Sequence, residues 1–212
     1  MKRYTPLFSF AIIPLLLLMF AATDIRKDSA SDDAVIGEAA PAFSLPGTDG
    51  NTYTLEDLEG KFVVLEWLNF GCPYVIRHYN SGNMPELQQE FTGKDVVWLS
   101  IVSSAPGKQG YYEAPEMNQQ NKKMGGSQTA ILLDPEGTVG KQYGARTTPH
   151  MYIINPEGTL NYKGCIDDQP RARESETKNA TNYVRAALKE AMNGKDVSVA
   201  TSRPYGCSVK YN

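Results

Sequence analysis

Two runs dominate the hydrophobic pattern. Lys61–Trp67 (KFVVLEW) and Val96–Val102 (VVWLSIV) are almost continuously apolar, which predicts strands buried on both faces. A shorter run, Thr129–Leu133, predicts a third strand. His150–Asn155 and Thr159–Tyr162 flank Pro156-Glu157-Gly158, a turn sequence that predicts a hairpin. Near the start, Pro and Gly punctuation and the alternation over Thr52–Leu55 predict a second, short hairpin. Between these blocks the pattern becomes helical. One helix is expected from Cys72 to about Phe91, a short one ending near Gly125, and a helical turn over Pro135–Tyr143. The last spans Asn182–Met192, with Tyr183, Ala187 and Ala191 on one stripe and Asn193-Gly194 as its cap. Residues 103–118 are polar and rich in Gly and Pro, and read as a long loop. Strands that alternate with helices and close with a hairpin and a helix imply an α/β domain, a mixed sheet with helices on both faces.

The first residues follow a different rule. Lys2 and Arg3 precede an uncharged run of 16 residues, Leu7–Ala22, interrupted by Pro14. A basic head and a short apolar stretch form the pattern of a secretory signal, and the run is shorter than the ~20 residues that span a bilayer. Export to the periplasm or another extracytoplasmic compartment is expected. Ala22 has the bulky Phe20 at the third position before the cut, so an uncleaved N-terminal anchor, the only membrane contact expected, stays open. Residues 1–22 thus read as signal, 23–36 as a polar linker, 37–194 as one domain and 195–212 as a C-terminal tail. The 212 residues suit one domain better than two. The net charge is −3, and losing Lys2 and Arg3 with the leader takes it to −5. Mild acidity without a Lys/Arg cluster argues against a nucleic-acid partner.

Three cysteines carry the chemistry: Cys72, Cys165 and Cys207. With two histidines and no paired C-x-x-C spacing, no metal site and no cofactor is expected. An odd count leaves at least one thiol unpaired within the chain. Cys72 follows a buried strand and opens a helix, where the helix dipole and orphan N–H groups favour the thiolate that attacks disulfides and peroxides. Pro73 suits the first helical turn, where its missing N–H costs little. Glu66, flanked by VVL and WL, is expected to be buried, which would raise its pKa and fit it to carry protons for the thiol. Thr148-Pro149 opens an apolar strand, where proline cannot donate a ladder hydrogen bond, and a cis bond is expected there. His78 and His150 read as structural histidines. The tail places Cys207 13 residues after Gly194. Extended, that reaches about 43–47 Å, against a radius of gyration of about 15 Å for the domain, so contact with Cys72 is open. Tyr205 and Tyr211 supply aromatic rings that could dock the tail.

The segment Glu66–Tyr74 (EWLNFGCPY) resembles the active-site segment of the thioredoxin superfamily, and Thr147-Thr148-Pro149 its cis-proline loop. Gly37–Leu45 (GEAAPAFSL) is similar to the start of redoxin domains of the alkyl hydroperoxide reductase/thiol-specific antioxidant branch. The tail Tyr205–Tyr211 resembles the end of a subgroup of secreted redoxins. The resemblance implies a thioredoxin-like fold with Cys72 as nucleophile. It puts Thr148, Pro149, Pro73 and Tyr74 at the substrate-binding surface, Glu66 at the position of a buried acid, and the end of the terminal hairpin strand, with Cys165, beside the active site.

The departures matter as much. Val75 stands where thioredoxins carry their second cysteine, so Cys72 must act alone or be resolved by Cys207 or by Cys165. Leu65 and Asn69 replace the Pro and Thr/Ser of peroxiredoxins, and Pro149 falls where their arginine is expected, which weakens stabilisation of charge on a peroxide. The resemblance therefore implies an extracytoplasmic thiol–disulfide oxidoreductase whose partner is a protein thiol or disulfide. Two alternatives remain: a thiol-dependent peroxidase, and a thioredoxin-fold binding module without catalysis.

Overall fold

A computed structural model describes residues 1–2, 34–171 and 173–212, without the Lys178 side chain. The expected signal sequence and most of the linker lie outside the described residues. No helix among those described is long and apolar enough to cross a membrane.

The chain opens with a hairpin of β1 (Ser44–Pro46) and β2 (Thr52–Thr54), then enters the core as β3 (Val63–Trp67). Helices α1 (Pro73–Asn80) and α2 (Asn83–Thr92) follow, then β4 (Val97–Val102), α3 (Ala114–Met124) and β5 (Ala130–Leu133). A short α4 (Thr138–Gln142) and a two-residue β6 (Thr147–Thr148) lead to β7 (His150–Ile154) and β8 (Leu160–Gly164). Helix α5 (Tyr183–Met192) and a two-residue β9 (Cys207–Ser208) complete the order.

The central sheet runs β5-β4-β3-β7-β8, with β3–β4–β5 parallel and β7 and β8 antiparallel. This is the mixed, helix-flanked, thioredoxin-like arrangement expected. Strand β3 shows why its sequence lacks alternation. Val64 packs with Trp98, Met151 and Ile153 against α1, α2 and α5, while Val63, Leu65 and Trp67 pack on the opposite face with Leu99, Tyr152 and the N-terminal segment. Both faces are covered, so every position is buried.

The structure differs from the pattern in three places. The helix expected from Cys72 to Phe91 breaks at Ser81-Gly82, where Gly82 adopts φ +77° and starts a second helix. Helix α3 begins at Ala114, inside the expected loop, because Pro115 suits a first turn. The buried stripe of α5 is Val184, Ala187 and Leu188 rather than Tyr183, Ala187 and Ala191: the wholly aliphatic side chains take the core, and Tyr183, with its polar hydroxyl, stays partly buried at its margin.

The tail is fully engaged. Ala200 and Ser202 exchange backbone hydrogen bonds with Lys163 on the outer edge of β8. Farther on, β9 pairs antiparallel with β6, the Val209 N–H donates to the Arg146 carbonyl, and the Ala105 N–H donates to the Lys210 carbonyl. Tyr211 ends the path against Gly137 and Gly140, where a Cβ would collide with its ring, and donates to the Ala145 carbonyl at 2.8 Å.

Candidate active site

Between β3 and α1 the chain turns through Leu68–Gly71, and Asn69 shapes that turn. Its side-chain oxygen accepts the Gly71 N–H at 2.8 Å and its amide donates to the Gln109 carbonyl at 3.1 Å. Gln109 returns a bond to the Gly71 carbonyl at 2.8 Å. Gly110, at φ +83°, lets the 103–110 loop approach: a Cβ there would lie 2.2 Å from Asn69 Oδ1. Asn69, which departs from the peroxiredoxin pattern, is thus the clamp of the loop that carries Cys72.

Cys72 is the N-cap of α1 (φ −85°, ψ 123°), with Pro73 first in the helix and the Ile76 N–H bonding to the Cys72 carbonyl at 3.0 Å. Its side chain is buried. As a thiol it donates to the Thr148 carbonyl at 3.1 Å. Thr148 precedes Pro149 through the expected cis peptide bond. Across from Thr148, in the β6–β9 ladder, stands Cys207, near enough to Cys72 for each thiol to shift the titration of the other.

Electrostatics separates the two sulfurs. Burial opposes the Cys72 thiolate, but the Cys207 thiol, the Val75 N–H, Thr148 and the Cys207 N–H together outweigh it, and its pKa lies below the ordinary cysteine value. The Thr148 hydroxyl is buried and makes no hydrogen bond of its own, so it is free to turn towards the sulfur. Cys207 moves the other way. Burial, then the polar interaction with the Cys72 sulfur and the charge of Cys72, push it up to about 11. The pair titrates as a unit, with the charge on Cys72.

The other expected site residues divide sharply. Tyr74 is exposed and rests its ring against Tyr205, centroids 5.9 Å apart. Val75, in the place of a local second thiol, is buried in the core. Cys165 is not brought to Cys72: its buried sulfur bonds to the Asp167 carbonyl and Ser202 Oγ, each at 3.1 Å, and burial raises its pKa. Glu66 is buried as expected. Its carboxylate accepts from Tyr79, Gln88, Trp98 and Ser100 at 2.9–3.0 Å, and none of its bonds leads to Cys72. Burial raises its pKa against the pull of those four donors. His78 and His150 are buried, and burial first, then nearby cations, depresses each to about 3.

Sequence reasoning passed over Asn69 and Gln109 as a clamp and Gly206 as a close approach. An Asn before Phe-Gly-Cys and a Gly next to the last cysteine are the only signals it offers, and neither has meaning until the partner segments are in place. Among the described residues no cluster of metal-binding side chains occurs.

Residues 36–163 match the AhpC/TSA family. The chain is 26% identical to the thiol:disulfide interchange protein DsbE of Escherichia coli K12 over 178 residues, covering 82% of this chain and 89% of that protein. It is 27% identical to bcp, a candidate peroxiredoxin of Coxiella burnetii, covering 63% of this chain and 82% of the relative. Among solved structures, an uncharacterized conserved protein from Geobacillus kaustophilus superposes with a TM-score of 0.74 at 26% identity, over 84% of this chain and 93% of that one. With a thioredoxin-like sheet, a cysteine at its strand-to-helix turn and a family match over more than half its length, the chain belongs to the AhpC/TSA family.

Proposed function

We propose that the protein is an extracytoplasmic thiol–disulfide oxidoreductase in which Cys72 is the nucleophile and Cys207 the resolving thiol. The observation that carries this reading is the β6–β9 ladder, which sets Cys207 opposite Thr148, the residue whose carbonyl accepts from the Cys72 thiol. The basic head and apolar run of residues 2–22 support the compartment, and the likeness to a thiol:disulfide interchange protein supports the reaction.

The Cys72 thiolate attacks one sulfur of a substrate disulfide. A Cys72–substrate bond forms, the substrate S–S bond breaks, and the second substrate sulfur leaves as thiolate and takes up a proton. The charge on Cys72 is then gone, and with it two of the three influences that hold Cys207 protonated. Cys207 gives up its proton and attacks Cys72, forming the Cys72–Cys207 bond and expelling the first substrate sulfur, which is protonated in turn. The substrate gains two electrons and the protein loses two. A dithiol reductant from outside the chain reverses the change, and the same steps run backwards oxidise a substrate.

Cys165 and Glu66 take structural parts in this scheme. Thr148, Pro149, Pro73 and Tyr74 line the approach to Cys72. The likeness to bcp raises a peroxidase reading, but among the described residues the groups acting on Cys72 are a thiol, backbone N–H groups and Thr148, with no guanidinium.

Peptide mass spectrometry of the oxidised protein tests the proposal. A Cys72–Cys207 disulfide is expected, with trapping of a mixed disulfide on Cys72 in Cys207→Ser and none in Cys72→Ser. A bond to Cys165 or an unpaired Cys72 would overturn it, and hydroperoxide consumption above the rate of free cysteine would favour the peroxidase.

A further inference from the structure

Two residues before Cys207, the tail inserts Tyr205 into a cluster of polar side chains that takes no part in the thiol chemistry above. The Tyr205 hydroxyl donates to Asp167 Oδ1 at 2.5 Å and accepts from His78 Nε2 and Arg77 Nη2, each at 3.0 Å. The directions follow from the neighbours. The Asn83 amide donates to His78 Nδ1 at 2.9 Å and is itself oriented by Asn182, leaving the proton of the neutral imidazole on Nε2. The ring is held as well, with Tyr74 on one side and the Arg77 guanidinium 5.5 Å from its centroid.

Three parts of the fold meet at this one hydroxyl. Arg77 and His78 belong to α1, the helix capped by Cys72. Asp167 follows β8, and Tyr205 belongs to the tail. Only Gly206 separates the anchor from Cys207. At φ +143°, a Cβ on Gly206 would sit 2.1 Å from the Thr148 carbonyl oxygen, so the connection lies flush on the loop that faces Cys72. Asp167 makes the anchor hard to replace. It is 1% exposed, and its Oδ2 has no hydrogen bond. Oδ1 relies on Tyr205 and on the Gln169 N–H at 3.0 Å.

We propose that Tyr205 is a positioning residue for thiol exchange: its hydroxyl, held by Arg77, His78 and Asp167, keeps Cys207 at Cys72 and so sets how readily the internal disulfide forms. This rests on the reading of Cys72 and Cys207 as a redox pair. The disulfide requires a docked tail, whereas the reduced chain does not. Loosening the anchor therefore lowers the effective concentration of Cys207 without removing any reacting atom.

The test uses the aromatic disulfide DTNB on the reduced full chain. The first coloured thiolate reports attack by Cys72 and the second reports closure by Cys207. Tyr205→Phe, which keeps the ring, is expected to slow the second release about tenfold and to shift the glutathione midpoint by the same factor, about 30 mV for a two-electron couple. Tyr205→Ala is expected to shift both further, and near-UV circular dichroism checks the fold. If Tyr205→Phe does not fold, Arg77→Gln tests the same anchor with the same expected loss. A wild-type chain that releases one thiolate only would overturn the redox pair itself. Two releases with unchanged closure rate and midpoint in Tyr205→Phe would overturn the anchor alone.

Discussion

Thr148 and Cys207 face one another in an antiparallel ladder only two residues long, and the Thr148 carbonyl is also the acceptor for the Cys72 thiol. One residue therefore registers the tail and contacts the Cys72 sulfur. Whatever moves the tail along β6 moves the second sulfur relative to the first.

The Cys207 thiol is the foremost stabiliser of the Cys72 thiolate, against the burial that opposes it. Cys207→Ala is expected to raise the Cys72 pKa and to slow alkylation of Cys72 at neutral pH. A pH profile of iodoacetamide reaction, followed by mass of the Cys72 peptide, reads this directly. An unmoved midpoint would show that the helix N-terminus alone sets the reactivity.

Gly206 cannot carry a side chain without losing contact with Thr148. A non-glycine residue held at φ +143° adds roughly 1–3 kcal/mol of strain before the clash is counted. Gly206→Ala is expected to leave the central sheet intact and to lower the yield of Cys72–Cys207 disulfide in a fixed glutathione buffer. Equal yield with wild type would mean that the tail reaches Cys72 by another path.

Glu66 is the shared acceptor for four buried donors. Glu66→Ala strands them and is expected to cost roughly 3–5 kcal/mol in urea unfolding, while Glu66→Gln, which keeps one oxygen, costs less. The rate of mixed-disulfide formation per folded molecule should stay near wild type in Glu66→Gln. A tenfold fall there would restore Glu66 as a proton carrier.

His78 and His150 are neutral in the fold, with pKa values of about 3. The unfolded chain takes up those protons near the ordinary histidine value, about 6.5. Between about pH 6.5 and 3 the unfolded state binds more protons, so stability falls on acidification by about 1.4 kcal/mol per pH unit for each histidine. Glu66, with its raised pKa, acts oppositely: its contribution is complete at low pH and is lost as pH rises above the ordinary carboxyl range. Melting temperatures across this window are expected to fall with pH, and His150→Asn to flatten the slope. A slope unchanged in that variant would assign the acid sensitivity to other groups.

The sequence alone determined the sheet and the place of Cys72 at a strand-to-helix turn. Runs such as Lys61–Trp67 have no wet face, so they had to be central strands. A cysteine followed by proline just after such a run had to open a helix. Those inferences rest on neighbours in the chain, where covalent geometry already limits the outcome. The partner of Cys72 did not follow from such rules. Reach allowed Cys207, fold resemblance allowed Cys165, and nothing local separated them. What favours Cys207 in the proposal is contact between segments distant in sequence: β6 against β9, Tyr205 against α1 and the segment after β8, and Ser202 occupying the Cys165 sulfur. Glu66 shows the same division. Its burial was legible from VVL and WL around it, but its four donors lie on α1, α2 and β4, and only their convergence fixed where its hydrogen bonds end.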